Sequence, residues 1–251
     1  MGKSAIILAG GEGQRMKSDK PKALSQVLNK PMIRWVMDSV TEAGISRICV
    51  VTGFGKSFIE DYLTEYTNET GAAVETAFQA ERCGTGHAVM MCSDFLRQNP
   101  GDVVVLNGDA PFVDSETILK AYELHSKSKS GATVISAKVE NPFGYGRIIR
   151  SNSGGVTAIV EEKDTDDEQK KVNEVNSGGY WFKTEDLLSA LGEITDNNAG
   201  GEYYLTDTVS ILLGKGKNVC AFTAENPYTV LGANDPEQLR ELNELAKNMN
   251  K

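Results

Sequence analysis

Thiols and imidazoles are scarce in this chain, with four cysteines and two histidines in 251 residues. Cys49, Cys83, Cys92 and Cys220 are scattered, with no C-x-x-C pair and no nearby His to suggest a zinc cluster, and reduced thiols are the expectation. No apolar run approaches the roughly 18 residues of a membrane span, and the few apolar residues after Met-Gly-Lys-Ser are too few for a signal peptide. A basic surplus is missing as well. Lys and Arg number 26 against 35 Asp and Glu, a net charge of −9, which argues against nucleic acid or an anionic membrane as a partner. Internal repeats, low-complexity tracts and Pro/Gly linkers are also lacking. The expectation is a soluble cytoplasmic protein with one domain over residues 1–251, a core over 1–230 and a C-terminal helix over 235–250. If the substrate is an anion, a few local cations must hold it against the field of the whole molecule.

What the sequence does contain is alternation. Short apolar runs trade places with amphipathic stretches, the pattern of βαβ units feeding a mostly parallel α/β sheet. Strands are predicted over Ser4–Gly10, Ile48–Thr52, Val74–Phe78, Val103–Leu106, Ala132–Val139, Val175–Phe182 and Val219–Phe222. Arg147–Arg150 and Val156–Val160 flank Ser153-Gly154-Gly155 as a hairpin. Helices are predicted over Pro31–Ala43 with Gly44 as its stop, Ser57–Tyr66, His87–Leu96, Ser115–Ser126 and Tyr203–Leu213. In the last helix Leu239, Leu242, Leu245 and Met249 share a face. Asp164–Lys171 is charged and reads as a solvated loop or exposed helix.

The segment Leu8-Ala9-Gly10-Gly11-Glu12-Gly13-Gln14-Arg15-Met16 follows the first strand, at the end of the sheet where ligands of open α/β folds bind. Its three glycines let backbone N–H groups approach phosphate oxygens. A dinucleotide fingerprint would need glycine where Met16 stands. A P-loop is absent too: Gly2-Lys3-Ser4 lacks an upstream glycine, and Gly55-Lys56-Ser57 has Val50 in that place. Arg15 and then Ser18-Asp19-Lys20-Pro21-Lys22 put cations close behind the turn, as a triphosphate site requires.

Leu8-Ala9-Gly10-Gly11-x-Gly13-x-Arg15-Met16 with Pro21-Lys22 resembles the signature of sugar-1-phosphate nucleotidyltransferases. Six further segments come after it in order: Gln79-Ala80-Glu81-x-x-Gly84-Thr85-Gly86-His87-Ala88, Asn107-Gly108-Asp109-x-Pro111, Asn141-Pro142-x-Gly144-Tyr145-Gly146-Arg147-Ile148, Val160-Glu161-Glu162-Lys163-Asp164, Glu174-Val175-Asn176-x-Gly178 and Gly201-Glu202-Tyr203-Tyr204-Leu205-Thr206-Asp207. Together they are similar to the uridylyltransferase branch of that family, as found in bacterial bifunctional enzymes that make UDP-N-acetylglucosamine. The resemblance covers essentially the whole chain. It implies a three-layer, Rossmann-like fold, a mostly parallel mixed sheet with helices on both faces. It also implies transfer of UMP from UTP to N-acetylglucosamine 1-phosphate, with magnesium (Mg2+) as cofactor and pyrophosphate as the leaving group.

The resemblance further implies roles for matching positions. The backbone at Leu8, Ala9, Gly10 and Gly11 would lie along the nucleotide, with Gln79, Gly84 and Thr85 reading uracil by in-plane hydrogen bonds. Arg15 and Lys22 would hold the phosphates as the catalytic cations. Asn107, Gly108 and Asp109 belong to the same site, Asp109 and Asn234 would bind magnesium, and Gly146, Glu161 and Asn176 would contact the amino-sugar. The residue chemistry agrees at Asp109, which ends an apolar strand on a Gly-Asp step where a hard cation finds an oxygen ligand. Near Asn234, Gly232 would allow a tight turn and Asp235 would cap the last helix before Pro236, leaving the Asn234 amide oxygen free for the metal. Plainer readings stand beside these: a solvated strand edge for Glu161, a turn residue for Asn176 or Asn234, and the opening turn of a helix for His87.

Two departures are visible. Glu12 stands where family members often carry a basic or neutral residue, and Asn107 where many carry an aromatic or apolar one. The bifunctional enzymes continue into a β-helix of hexapeptide repeats that transfers acetyl groups. This sequence shows no such repeats, so the expectation is a stand-alone or shortened uridylyltransferase, with a separate acetyltransferase as a conceivable partner. The alternatives are a glucose 1-phosphate enzyme using UTP or dTTP, a glycosyltransferase using Asp164-Thr165-Asp166, and a non-catalytic sensing domain.

Overall fold

The computed structural model describes residues 2–16 and 18–249. Their elements, in chain order, are β1 (Gly2–Leu8), β2 (Gln26–Val27), β3 (Lys30–Pro31), α1 (Met32–Glu42), β4 (Arg47–Thr52), α2 (Lys56–Thr70), β5 (Ala73–Phe78), α3 (Thr85–Met90), α4 (Ser93–Gln98), β6 (Gly101–Asn107), α5 (Ser115–Lys127), β7 (Ala132–Lys138), β8 (Arg147–Arg150), β9 (Val156–Val160), β10 (Glu174–Lys183), α6 (Thr184–Leu191), α7 (Asp207–Gly214), β11 (Val219–Thr223) and α8 (Pro236–Met249).

Strands with branched residues on both faces must be covered on both sides, and alternate side chains then serve two cores. Ala5 and Ile7 of β1 join Val104 and Leu106 of β6 in one cluster, which α1, α2 and α5 cover. Ile6, Val103 and Val105 point the other way into a second cluster, closed by α3, α4, α6 and α7. The three-layer architecture expected from the resemblance is therefore present.

The large sheet runs β11-β7-β10-β6-β1-β4-β5, with the β8–β9 hairpin hung on β10. β1 pairs in parallel with β4 and β6, β4 with β5, and β7 with β11, while β10 runs antiparallel to β6, β7 and β8. The sheet is thus mixed and mostly parallel along its length, with β10 as the reversed strand. In register, Leu8 lies opposite Asn107, so the glycine turn after β1 and the Gly-Asp step after β6 leave the sheet side by side.

Several boundaries differ from the sequence expectation. The helix placed over His87–Leu96 starts at Thr85 and is broken into α3 and α4 at Met91-Cys92. The helix placed over Tyr203–Leu213 begins only at Asp207. Residues 203–205 are held out of it by the Gly-Thr-Gly turn: Tyr203 N donates to Cys83 O at 2.8 Å, Gly86 N to Tyr203 O at 2.7 Å, and Leu205 N to Thr85 Oγ1 at 3.1 Å. α2 runs on to Thr70, where Gly71 stops it at φ +72°. Along α8, Leu242 is buried and Met249 is 49% exposed, so Ala246 rather than Met249 completes the buried stripe.

Two elements had no counterpart in the sequence reading. One is α6, which succeeds β10 without a break. The other is the β2–β3 hairpin, whose Leu28 and Asn29 have φ of 49° and 63°, the left-handed pair that a two-residue hairpin turn needs. α8 docks on that hairpin, with Leu28 N donating to Asn243 Oδ1 at 2.9 Å and Asn243 Nδ2 donating to Gln26 O at 3.2 Å. Among the described residues no helix is long and apolar enough to cross a membrane.

Candidate active site

Two adjoining clefts of about 360 and 420 Å³ open at the carboxyl ends of the parallel strands. Leu8, Thr85, Asn107 and Asp109 line both, so the clefts meet over the ends of β1 and β6. The first is walled by Ala9, Gly10, Gly11, Lys22, Gln79 and Gly84. Arg15, Gly146, Glu161, Asn176 and Asn234 line the second. Of the residues given a site role by the resemblance, only Gly108 lines neither. It packs on β1 instead, its N–H donating to Leu8 O at 2.9 Å, and a Cβ built there would lie 3.1 Å from the same oxygen.

The three glycines of the turn have different tasks. Gly10 faces the backbone of Gly53, where a Cβ would come within 2.6 Å of Gly10 O. Gly11 has nothing within 4 Å of a built Cβ and is open to the cleft. Gly13, at φ +63°, makes room for Lys22: a Cβ there would lie 2.8 Å from the Lys22 Cβ. The third glycine therefore shapes a side chain's path and lines neither cleft.

Gln79 is 5% exposed, and its Nε2 lies 3.0 Å from Gly84 O and 3.1 Å from His87 Nδ1. Both contacts are made by the nitrogen, which leaves Oε1 as the atom available to a ligand. His87 opens α3, as expected, and orients Gln79 besides. The Thr85 hydroxyl accepts from Leu205 N, so that side chain braces the wall it helps to form.

At the junction of the clefts the Lys22 ammonium pairs with the Asp109 carboxylate and donates to Asn234 Oδ1 at 2.8 Å. The expectation that the Asn234 oxygen would be free is corrected by this contact. Asp109 and Asn234 are brought together because Gly232 packs on the Asp109 backbone, where a Cβ would lie 2.8 Å from Asp109 O. That close approach, rather than a left-handed turn, is why glycine stands there, since Gly232 has no positive φ. Asn234 is not left-handed either, so it is no strained turn residue. Asp235 caps α8 as expected, accepting from Gln238 N at 2.9 Å, while Gln238 Oε1 accepts from Asn234 N at 2.8 Å.

In the second cleft, Asn176 N donates to Gly146 O at 2.9 Å, and the Asn176 carboxamide spans Tyr180 Oη (2.6 Å) and Gly178 N (2.9 Å) across a bulge of β10. The bulge depends on Gly178, at φ +76°, because a Cβ there would overlap the Asn107 amide. A Cβ on Gly146 would lie 3.5 Å from both oxygens of Glu161, so that carboxylate has open space beside it. Glu161 accepts from Thr206 Oγ1 at 3.0 Å. Burial, and then the charges of Asp164, Asp207 and Glu202, push its carboxyl above the usual range.

Other residues at the clefts were given no role of their own from the sequence. Arg82 and Glu202 line the first cleft, and Arg82 pairs with Glu12, the residue that departs from the family pattern. Phe143 stands over the second cleft at 77% exposure, on a loop fixed from below. The buried Arg147 donates to Glu162 Oε2 at 2.7 Å, and the same oxygen accepts from Gly144 N at 3.1 Å. Arg147 sat inside a quoted motif, and burial is what turns it into an anchor for that loop.

The oxygens of Asp109 and Asn234 suit a hard cation, and they already converge on one positive centre, the Lys22 ammonium. The residues present therefore fit magnesium. Among the described residues no group of three His, Cys, Asp or Glu could hold a metal by itself, so further ligands would come from water or substrate phosphate.

A family model described as nucleotidyl transferase matches residues 4–228. This chain belongs to the nucleotidyl transferase family. The nucleotidyltransferase is 43% identical over 243 residues to bifunctional protein GlmU of Acetivibrio thermocellus, and 42% identical over 248 residues to that of Clostridium beijerinckii. These matches cover 97% and 99% of this chain but 51% and 53% of the relatives, so the chain spans about half the length of the curated relatives it matches. Its fold superposes on a solved UDP-glucose pyrophosphorylase complexed with UDP-glucose, with a TM-score of 0.80 over 99% of this chain and 100% of that one, at 21% identity.

Proposed function

We propose that this nucleotidyltransferase moves UMP from UTP to N-acetylglucosamine 1-phosphate, giving UDP-N-acetylglucosamine and pyrophosphate. The observation that carries the proposal is the pair of clefts sharing Leu8, Thr85, Asn107 and Asp109, with Lys22 at their junction. Two anionic substrates can lie end to end there, with the reacting phosphorus over the common wall. The seven motifs and the likeness to bifunctional protein GlmU support the choice of substrates.

In the first cleft, Gln79 Oε1 would accept the uracil N3–H, while Gly10 and Gly11 let the nucleotide lie along the backbone. Cytosine presents a bare N3 and would oppose acceptor to acceptor. CTP should be rejected by roughly a hundredfold or more, as when a buried hydrogen-bonding group is left unpaired. In the second cleft, the Glu161 carboxylate would accept sugar hydroxyl or amide protons beside Gly146, and Asn176 fixes the floor. The sugar phosphate is already an anionic nucleophile, so no general base is needed. Lys22 and Arg15 would hold the two sets of phosphates close enough for in-line attack. Held by Asp109 and Asn234, magnesium would supply charge neutralisation for the phosphates.

A pyrophosphate-release assay over a matrix of nucleoside triphosphates and sugar 1-phosphates tests the proposal. UTP with N-acetylglucosamine 1-phosphate should be the best pair. Equal or better turnover of dTTP with glucose 1-phosphate would overturn it.

A further inference from the structure

The proposed magnesium site, on which this inference rests, is already held by a cation of the protein itself. The Lys22 ammonium contacts both the Asp109 carboxylate and the Asn234 amide oxygen. One oxygen comes from the end of β6 and one from the start of α8, and both reach a single nitrogen. The arrangement is built on both sides. Gly232 lets Asn234 approach Asp109, and Gly13 clears the path of the lysine stem. The side chains of Lys22 and Asp109 are only 16% and 20% exposed, so the contact is partly shielded from water.

We propose that Lys22 is a resident cation that a divalent ion displaces, and that displacement delivers the lysine to the phosphates. An ammonium sits at hydrogen-bond distance from its oxygens, whereas magnesium binds oxygen at about 2.0–2.1 Å, so the two cannot share one pair of oxygens. Like charges so close also repel strongly at a shielded site. The ion and Lys22 therefore compete. Without phosphate, an arriving ion must break two contacts and leaves the ammonium unpartnered. With nucleotide present, the freed ammonium has phosphate oxygens to bind. Metal and nucleotide then favour each other's binding beyond any direct contact between them, and by linkage the effect is reciprocal.

Manganese titrations followed by electron paramagnetic resonance, without nucleotide, test the exchange. Lys22→Met should bind manganese about tenfold more tightly than the unmodified protein, within the usual range of a coupling between sites. Arg15→Met is the control for bulk charge. Arg15 lines the second cleft and holds neither oxygen, so its loss should change affinity by less than about threefold.

A second measurement needs no variant. Magnesium alone should speed acylation of Lys22 severalfold relative to Lys20, read by mass spectrometry, and UTP added with magnesium should then protect Lys22. The exchange is overturned if Lys22→Met binds manganese no more tightly than the unmodified protein, if Arg15→Met matches it, or if magnesium leaves Lys22 labelling unchanged or slower. Failure of the metal assignment itself looks different. In that case, adding Asp109→Asn to Lys22→Met would leave manganese affinity untouched.

Discussion

The two clefts are made of different material. The first belongs to the parallel half of the sheet, and much of its wall is backbone: Gly10 against Gly53, and Gly84 against Tyr203. The second lies over the reversed strand β10 and presents side-chain oxygens, with Glu161, Thr206 and the Asn176 carboxamide in contact with their neighbours. A nucleotide's phosphates and flat base can be recognised by close approach to main chain. A sugar carries many hydroxyls around a puckered ring and needs acceptors placed singly. The first cleft should therefore be sensitive to added volume, and the second to changed charge.

The largest effect is expected where the clefts join. Lys22→Ala should lower turnover by roughly two orders of magnitude or more, the scale of losing one electrostatic stabiliser. Its melting temperature should fall as well, since Asp109 is left without its cation at a site only partly open to water. A near-normal rate would remove Lys22 from the reaction.

Next comes volume. A methyl on Gly84 would meet Tyr203 O at 2.6 Å, on a residue at φ +105°, so Gly84→Ala should destabilise the fold by about 2–4 kcal/mol and raise KM for UTP. Gly146→Ala meets Glu161 only at van der Waals distance, so it should fold normally and impair the sugar phosphate alone. Denaturant melts and separate KM values for the two substrates check both outcomes.

Charge in the second cleft should show an inverted signature. Burial, with the nearby Asp164, Asp207 and Glu202, raises the Glu161 carboxyl above its ordinary value. The native state then binds that proton more tightly than the unfolded chain does. The stabilising contribution is complete below the ordinary carboxylate range and is lost as pH rises through the raised native value. Glu161→Gln should accordingly melt higher than the unmodified protein at neutral pH, with the gap closing in acid. It should also lose about tenfold in kcat/KM for the sugar phosphate, on the scale of one charged hydrogen bond. A lower melting temperature at neutral pH would contradict the burial argument.

The smallest effect should come from the exposed Glu12–Arg82 pair at the rim of the first cleft. Either Glu12→Gln or Arg82→Ala should change KM for UTP by about two- to threefold, as exposed ion pairs usually permit. Exchanging the two residues should restore most of the loss if the pair matters as a latch.

The strands of both halves were legible in sequence, for physical reasons. β1, β4 and β6 are buried on both faces and read as continuous apolar runs, and the glycine turn sits at a strand end. The β8–β9 hairpin was equally clear from its Ser-Gly-Gly turn. Residues 203–206 misled because their side chains suit a helix, while their backbone is claimed by Cys83 and Gly86 far away in sequence. Arg82 and Glu12 are 70 residues apart, and no periodic pattern links them. The conjunction of Asp109 with Asn234 came from family resemblance. Its cause, the missing Cβ of Gly232, is a tertiary contact that composition does not encode.

The order in which the clefts are completed has a bearing on synthesis. The first cleft takes its last lining residue from Glu202, whereas the second waits for Asn234 and Gln238 at the start of α8. A chain leaves the ribosome at about 5–20 residues per second, so its earlier parts are made first. For a matter of seconds a nascent molecule therefore carries every lining residue of the first cleft while Asn234 is still to come. Under the proposed roles, turnover would begin only once the start of α8 has been added.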